Sequence, residues 1–261
     1  MNWLRILVVG GVTSYRALFG WLSPWILIPS LVVAPLAQIM LFAYIGRSAG
    51  LETDTFFVVG NAVQYAAIPC LFGMTSTIAG ERLQGTLGIV LVSPASRLAL
   101  VLGRALPVLV NGFGVALFGL FAGGALLGVA VPYAAIGPVV LAVLTCSGSC
   151  IGLGLVNAAF GLRLLDTAVL SNLLFGVLLL FSGANIPPGA LPSWMAAIGE
   201  WMPLTHGIAA TRALVAGATL AGVGHLLITE ALIGAGYGLA GALLLRLLEI
   251  ESRRSASLEA A

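Results

Sequence analysis

The chain has 261 residues, of which 60% are hydrophobic and only 8% are charged, and its formal net charge is +2. A soluble domain carries roughly a quarter charged residues, so this chain cannot face water on all sides and suits the bilayer as its solvent. So small a net charge excludes a nucleic-acid binder. All eleven basic residues are arginine. Without lysine there is no G-x-x-x-x-G-K-S/T phosphate loop, no Schiff-base amine and no Ser-Lys dyad. The polypeptide is therefore not a standard P-loop ATPase by itself.

Residues 2–20 carry Trp3, Leu4, Ile6, Leu7 and Tyr15 beside Arg5 and Arg16, a pattern that predicts a helix lying in the membrane interface. The two arginines and the lack of an Ala-x-Ala-like exit argue against a cleavable signal peptide. A spanning helix needs about 20 mostly apolar residues. The charge-free runs predict spans over Trp21–Gly46 and Thr55–Ala79. The long run Ala105–Leu162 breaks around Val131-Pro132-Tyr133 into a third and a fourth span, and Asp166–Gly183 and Ala221–Leu245 give the fifth and sixth. Six spans place both termini on one side. Nine of the eleven arginines fall on that side, and only Arg47 and Arg212 fall opposite. The positive-inside rule makes that side cytoplasmic.

Between the second and third spans lies a patterned segment, residues 80–98. Leu83, Leu87, Val90 and Leu91 recur at helical spacing, and Pro94 stops the helix at Ser93. A short helix across the cytoplasmic face is expected, with Glu81 and Arg82 at its start and Arg97 at its exit. Between the fifth and sixth spans, residues 185–217 are cut by Pro187, Pro188, Pro192 and Pro203 into pieces too short to span. Two short helices dipping into the outer leaflet fit, with Trp194 and Trp201 at headgroup depth.

Glu230 lies inside the sixth span, with His225 near its outer end. An intramembrane carboxylate is a candidate functional group: it could bind a cationic substrate, carry a proton, or hydrogen-bond a backbone break. Arg212 fits a clamp within the outer segment better than a substrate ligand. Cys70, Cys146 and Cys150 all fall in apolar runs, and small packing side chains are the expected reading rather than a metal site. The pairs Gly119/Gly123, Gly124/Gly128, Gly148/Gly152 and Gly234/Gly238 allow close helix approach, within the chain or at a dimer seam.

Two motifs carry a resemblance. The first is Glu81, Gly85-Thr86-Leu87, Ser93-Pro94, Arg97 and Gly103. The second is Ser182-Gly183, Pro187, Leu191-Pro192, Pro203-Leu204-Thr205, Arg212 and Gly217. Together they resemble the transmembrane subunit of an ABC-2 type (type V) ABC transporter, over nearly the whole chain, and the size and shape look most like bacterial drug, polysaccharide or lipid export permeases. Gly88 stands where that family usually has a second glutamate, and Arg104 where it usually has a lysine.

The resemblance implies an all-α membrane protein: six transmembrane helices, an N-terminal interfacial helix, a cytoplasmic coupling helix between spans 2 and 3, and extracellular re-entrant helices between spans 5 and 6. It implies a permease without catalysis of its own, working with two copies of a separate ATPase that binds ATP and Mg2+, and with a second permease copy, identical or a paralogue. Glu81, Arg82 and Arg97 would make polar contact with the ATPase, and Leu83, Leu87 and Leu91 would transmit force by packing. Gly85, Thr86, Ser93 and Pro94 complete that segment. Gly183, Pro187, Pro192, Pro203, Leu204 and Arg212 would shape an outer gate, and a hydrophobic or amphipathic substrate would leave across a bacterial plasma membrane. The alternative is a proton-driven secondary transporter using Glu230 and His225. An intramembrane enzyme finds no HExxH, GxSxG or paired aspartates in the sequence.

Overall fold

The computed structural model describes residues 25, 28–83, 97–161 and 167–255, with side chains described over 28–76, 103–161 and 168–248. The described residues are helical, without a strand. A short π turn, Pro29–Val33, leads into α1 (Ala34–Ala49). There follow α2 (Asp54–Gln64), α3 (Ala67–Leu83), α4 (Arg97–Leu127), α5 (Ile136–Phe160), α6 (Thr167–Phe181), α7 (Ser193–Gly199), α8 (Thr205–Val215) and α9 (Leu220–Ser255).

Five stretches are long and apolar enough to cross a membrane: Pro29–Ala49, Asp54–Ser76, Gly103–Leu127, Tyr133–Phe160 and Leu220–Leu248. They match five of the six spans expected. The expected fifth span, Asp166–Gly183, is the shorter helix α6, whose 15 residues extend only about 22 Å. Gly183 bounds it in the left-handed region (φ 74°), a conformation that glycine adopts without a Cβ penalty.

The second span is not one straight helix. α2 ends at Gln64 and α3 begins at Ala67, with a turn at Tyr65 and Ala66. Pro69 explains the break: it has no N–H for the Tyr65 carbonyl four residues earlier, and its ring crowds that carbonyl. The turn instead closes through tighter bonds, Ala66 N–H to Val63 O at 3.1 Å and Ile68 N–H to Tyr65 O at 3.3 Å. Between the first two spans, Arg47 in the last turn of α1 grips Asp54 in the first turn of α2 through Nε–Oδ1 and Nη2–Oδ2 contacts of 2.7 and 2.5 Å. Each charge also suits the dipole end it occupies.

α5 runs through the middle of the bundle and packs on α3, α4, α6, α8 and, most extensively, α9. Glycines set the last contact. A Cβ on Gly234 of α9 would lie 2.5 Å from Ser149 Cα, and one on Gly241 would lie 2.7 Å from Val156 N. Gly152 of α5 faces Gly234 and Gly238 in return. On the other flank, Gly119 and Gly123 of α4 receive Ile39 of α1. Of these small residues, Gly119, Gly123, Gly152 and Gly234 serve packing within the chain, whereas Gly148 faces open space and Gly128 (φ 73°) follows the end of α4. The core is buried Val, Ala, Leu and Ile together with Cys70, Cys146 and Cys150, which are free thiols.

Candidate functional site

The most organised polar region surrounds α8. This helix starts without a cap of its own. Its cap position is Leu204, held in the left-handed region (φ 78°), and its third residue is Gly207. Such a conformation costs a non-glycine residue on the order of 1 kcal/mol. Glu230, reaching across from α9 and fully buried, supplies the missing acceptors. Its Oε1 accepts the Leu204 N–H at 2.7 Å and its Oε2 accepts the Gly207 N–H at 3.0 Å. In a capping box, two side chains of one helix close these same two amides. Here one carboxyl group from a different helix closes both. Gly207 makes the approach possible, because a Cβ there would run into Cys146 Sγ and come within 3.4 Å of Glu230 Cγ.

The start of α8 is also tied to the end of α7. Thr205 Oγ1 donates to Gly199 O at 2.7 Å, and His206 Nε2 lies 2.9 Å from Glu200 O. Trp194 and Trp201 on this stretch are exposed.

Arg212, in the last turn of α8, holds the other end. Its Nη1 donates to Gly183 O at 2.8 Å, its Nη2 to Ala184 O at 2.8 Å and to Phe56 O at 3.0 Å, and its Nε to Phe56 O at 3.3 Å. The guanidinium also lies 3.5 Å from the centre of the Phe56 ring, a cation–π contact. One side chain thus joins α8 to the first turn of α2 and to the carbonyls just past α6, the negative end of that helix. Burial draws the Arg212 pKa down to about 10, with Glu52 acting in the opposite direction. The clamp expected of Arg212 is what the geometry shows, and Gly183 is one of its partners. Leu204 and Pro203 are buried at the α8 start, while Pro187 and Pro192 precede the short turn Pro188–Ala190 and α7.

Glu230 and His225 are not brought together. Five residues apart on one helix, they point about 140° from each other. Glu230 is enclosed and His225 is exposed.

Uncharged amides that the sequence reading passed over build two further ties. Asn61 Nδ2 donates to Asn185 Oδ1 at 2.8 Å, and Gln38 Nε2 donates to Asn61 Oδ1 at 3.1 Å. They link α1, α2 and the stretch after α6. Asn157 Nδ2 donates to Thr75 Oγ1 at 2.8 Å and to Ser171 Oγ at 2.7 Å, joining α5 to α3 and α6. The usable signal was a lone amide inside an apolar run. Such a group must find a partner or be paid for in desolvation.

At the opposite end, Glu81, Arg82 and Leu83 continue α3 and Arg97 opens α4. The transverse helix was expected to begin at Glu81, whereas these three residues prolong the span helix, because nothing between Ser76 and Leu83 breaks it. Gly85, Thr86, Leu87, Leu91, Ser93 and Pro94 lie outside the described residues, as do residues 2–20.

A family model described as ABC-2 type transporter matches residues 15–215. The chain belongs to the ABC-2 type transporter family. No curated protein sequence matches it. An ABC-2 chain is the permease subunit of an ABC transporter, a multi-pass membrane protein that is not catalytic by itself. The matched region takes in the segment between α3 and α4 and ends at Val215, the last residue of α8. Arg212 lies within it, and α9 with Glu230 lies beyond it.

Proposed function

We propose that this ABC-2 permease is the membrane half of an ATP-driven exporter that moves a hydrophobic or amphipathic molecule, of drug, lipid-linked or glycan type, out across a bacterial plasma membrane. The observation that carries the reading is the family match across both motif-bearing segments. The partner is a separate ATPase in two copies, which holds the ATP and Mg2+, since this chain has no lysine for a phosphate loop. The ATPase seats residues 80–98: Glu81, Arg82 and Arg97 set register by charge, and the leucines transmit force. The arginine asymmetry supports cytoplasmic termini. The short α6 counts as the fifth of the six spans, and residues 2–20 lie in the interface. α7 and α8 form re-entrant helices at the outer side, with α8 packed on α2, α5 and α9 and α7 against α6. A second permease copy completes the pathway.

The test is co-expression with an ABC ATPase subunit from the same genome. The expected result is co-purification of the two chains and ATP hydrolysis stimulated by the permease. Glu81→Ala and Arg97→Glu should abolish that stimulation while leaving the permease folded. Full stimulation in both variants would sink the coupling assignment. Transport that proceeds with no ATPase at all would favour the proton-driven alternative, for which the divergence of Glu230 and His225 offers no support.

A further inference from the structure

We infer that Glu230 is a positioning residue that makes α8 and α9 a single moving body. The inference rests on the reading of α8 as part of the outer gate.

The two charges of this region do not pair with each other. Arg212 binds α8 to α2 and to the chain just past α6, and Glu230 binds α8 to α9. Among the described residues, the hydrogen bonds from α9 to other elements are those of Glu230. The rest of its attachment is packing, chiefly the glycine seam on α5. α9 is unbroken from Leu220 to Ser255 and contains no proline. At 36 residues it extends about 54 Å, against a hydrocarbon layer of about 30 Å. Its last turns, from Arg246 onward, therefore pass beyond the apolar layer on the side where the ATPase would act. A tilt imposed at that end reaches Glu230 along a rigid rod, and the carboxylate delivers it to the first turn of α8.

The contact is selective for the carboxylate. Two N–H donors converge on two oxygens, at 2.7 and 3.0 Å. Glutamine has nearly the same shape but sets an amide NH2 against one of those N–H groups, leaving a buried donor unpaired. Shortening the arm by one methylene, as in aspartate, withdraws both oxygens from their donors.

The test uses pulsed electron–electron distance measurement on the full chain in lipid nanodiscs. Nitroxides are placed at Ala209→Cys on α8 and Ala235→Cys on α9. A control pair uses Leu144→Cys on α5 with Ala235→Cys. All three sites are exposed, and the native cysteines are buried. With Glu230 present, both pairs should give one narrow distance. In Glu230→Gln the width of the 209–235 distribution should at least double while the 144–235 distribution stays narrow. A 209–235 pair that stays narrow overturns the inference, because α8 is then held without the carboxylate. Broadening of both pairs also overturns it, because Glu230 would then support the whole bundle. Should Glu230→Gln fail to fold, Glu230→Asp is read by the same three outcomes. The measurement needs neither ATPase nor substrate, so its failure is distinct from a failure of the transport reading. Lack of an ATPase partner would remove the gate assignment and leave the label distances as they are.

Discussion

The Arg212 guanidinium reaches the Ala184 carbonyl at 2.8 Å through space that residue 60 leaves open. A Cβ on Gly60 would lie 2.5 Å from Arg212 Nη2 and closer still to the Ala184 oxygen. The arginine clamp and the glycine opposite it are thus one device, built from residues 152 positions apart in sequence.

Gly60→Ala is expected to push the guanidinium off its carbonyls and cost about 1–3 kcal/mol, as overpacking does. Arg212→Lys should cost a similar amount. An ammonium can neither lie flat on Phe56 nor span three carbonyls from one plane. Thermal unfolding of the purified permease would check both. A double variant no worse than either single one would confirm that the two act on the same contact.

Gly207→Ala should be destabilising because its new methyl meets Cys146 Sγ. The remaining contact, 3.4 Å to Glu230 Cγ, is ordinary van der Waals distance. Cys146→Ala in the same chain should therefore recover most of the loss, with a coupling of about 1 kcal/mol or more between the two sites. Equal unfolding temperatures for single and double variants would show that the thiol is not the obstacle.

Two glycines on the paired helices α5 and α9 should respond in opposite directions. Gly234→Ala places a methyl against the Ser149 backbone and should separate the helices, lowering stability by about 1–3 kcal/mol. Gly148→Ala meets open space and should be neutral or stabilising by up to about 1 kcal/mol from helix propensity. Parallel melts of the two variants decide the matter.

Asn157→Ala removes both hydrogen bonds that join α5 to Thr75 and Ser171. All three side chains are buried, so about 1–3 kcal/mol should be lost. Increased amide exchange in α6, which is shorter than the five candidate spans, is the expected local signature. Unchanged exchange there would mean that packing alone seats it.

Much of this layout can be read along the chain. Apolar length predicted the long helices, a sum over neighbouring residues that needs no knowledge of the fold. Prolines marked residues 185–217 as pieces too short to cross, and α7 and α8 are indeed short. Other features escaped. Pro69 sits in an apolar run, and hydropathy passes over it even though it breaks the second span into α2 and α3. Asn61 and Asn157 carry no charge and vanish in a charge count, although each anchors contacts between helices.

Glu230 marks the boundary between the two kinds of knowledge. Its position inside an apolar helix was enough to single it out, since a carboxylate at membrane depth must have a partner. The identity of that partner was not readable. The nearest titratable residue along the helix, His225, faces elsewhere. The real partners are two main-chain amides at Leu204 and Gly207, exposed only because α8 begins there without a cap. Backbone donors carry no signature in a sequence, and they become partners only where tertiary packing leaves a helix end bare and brings another helix beside it.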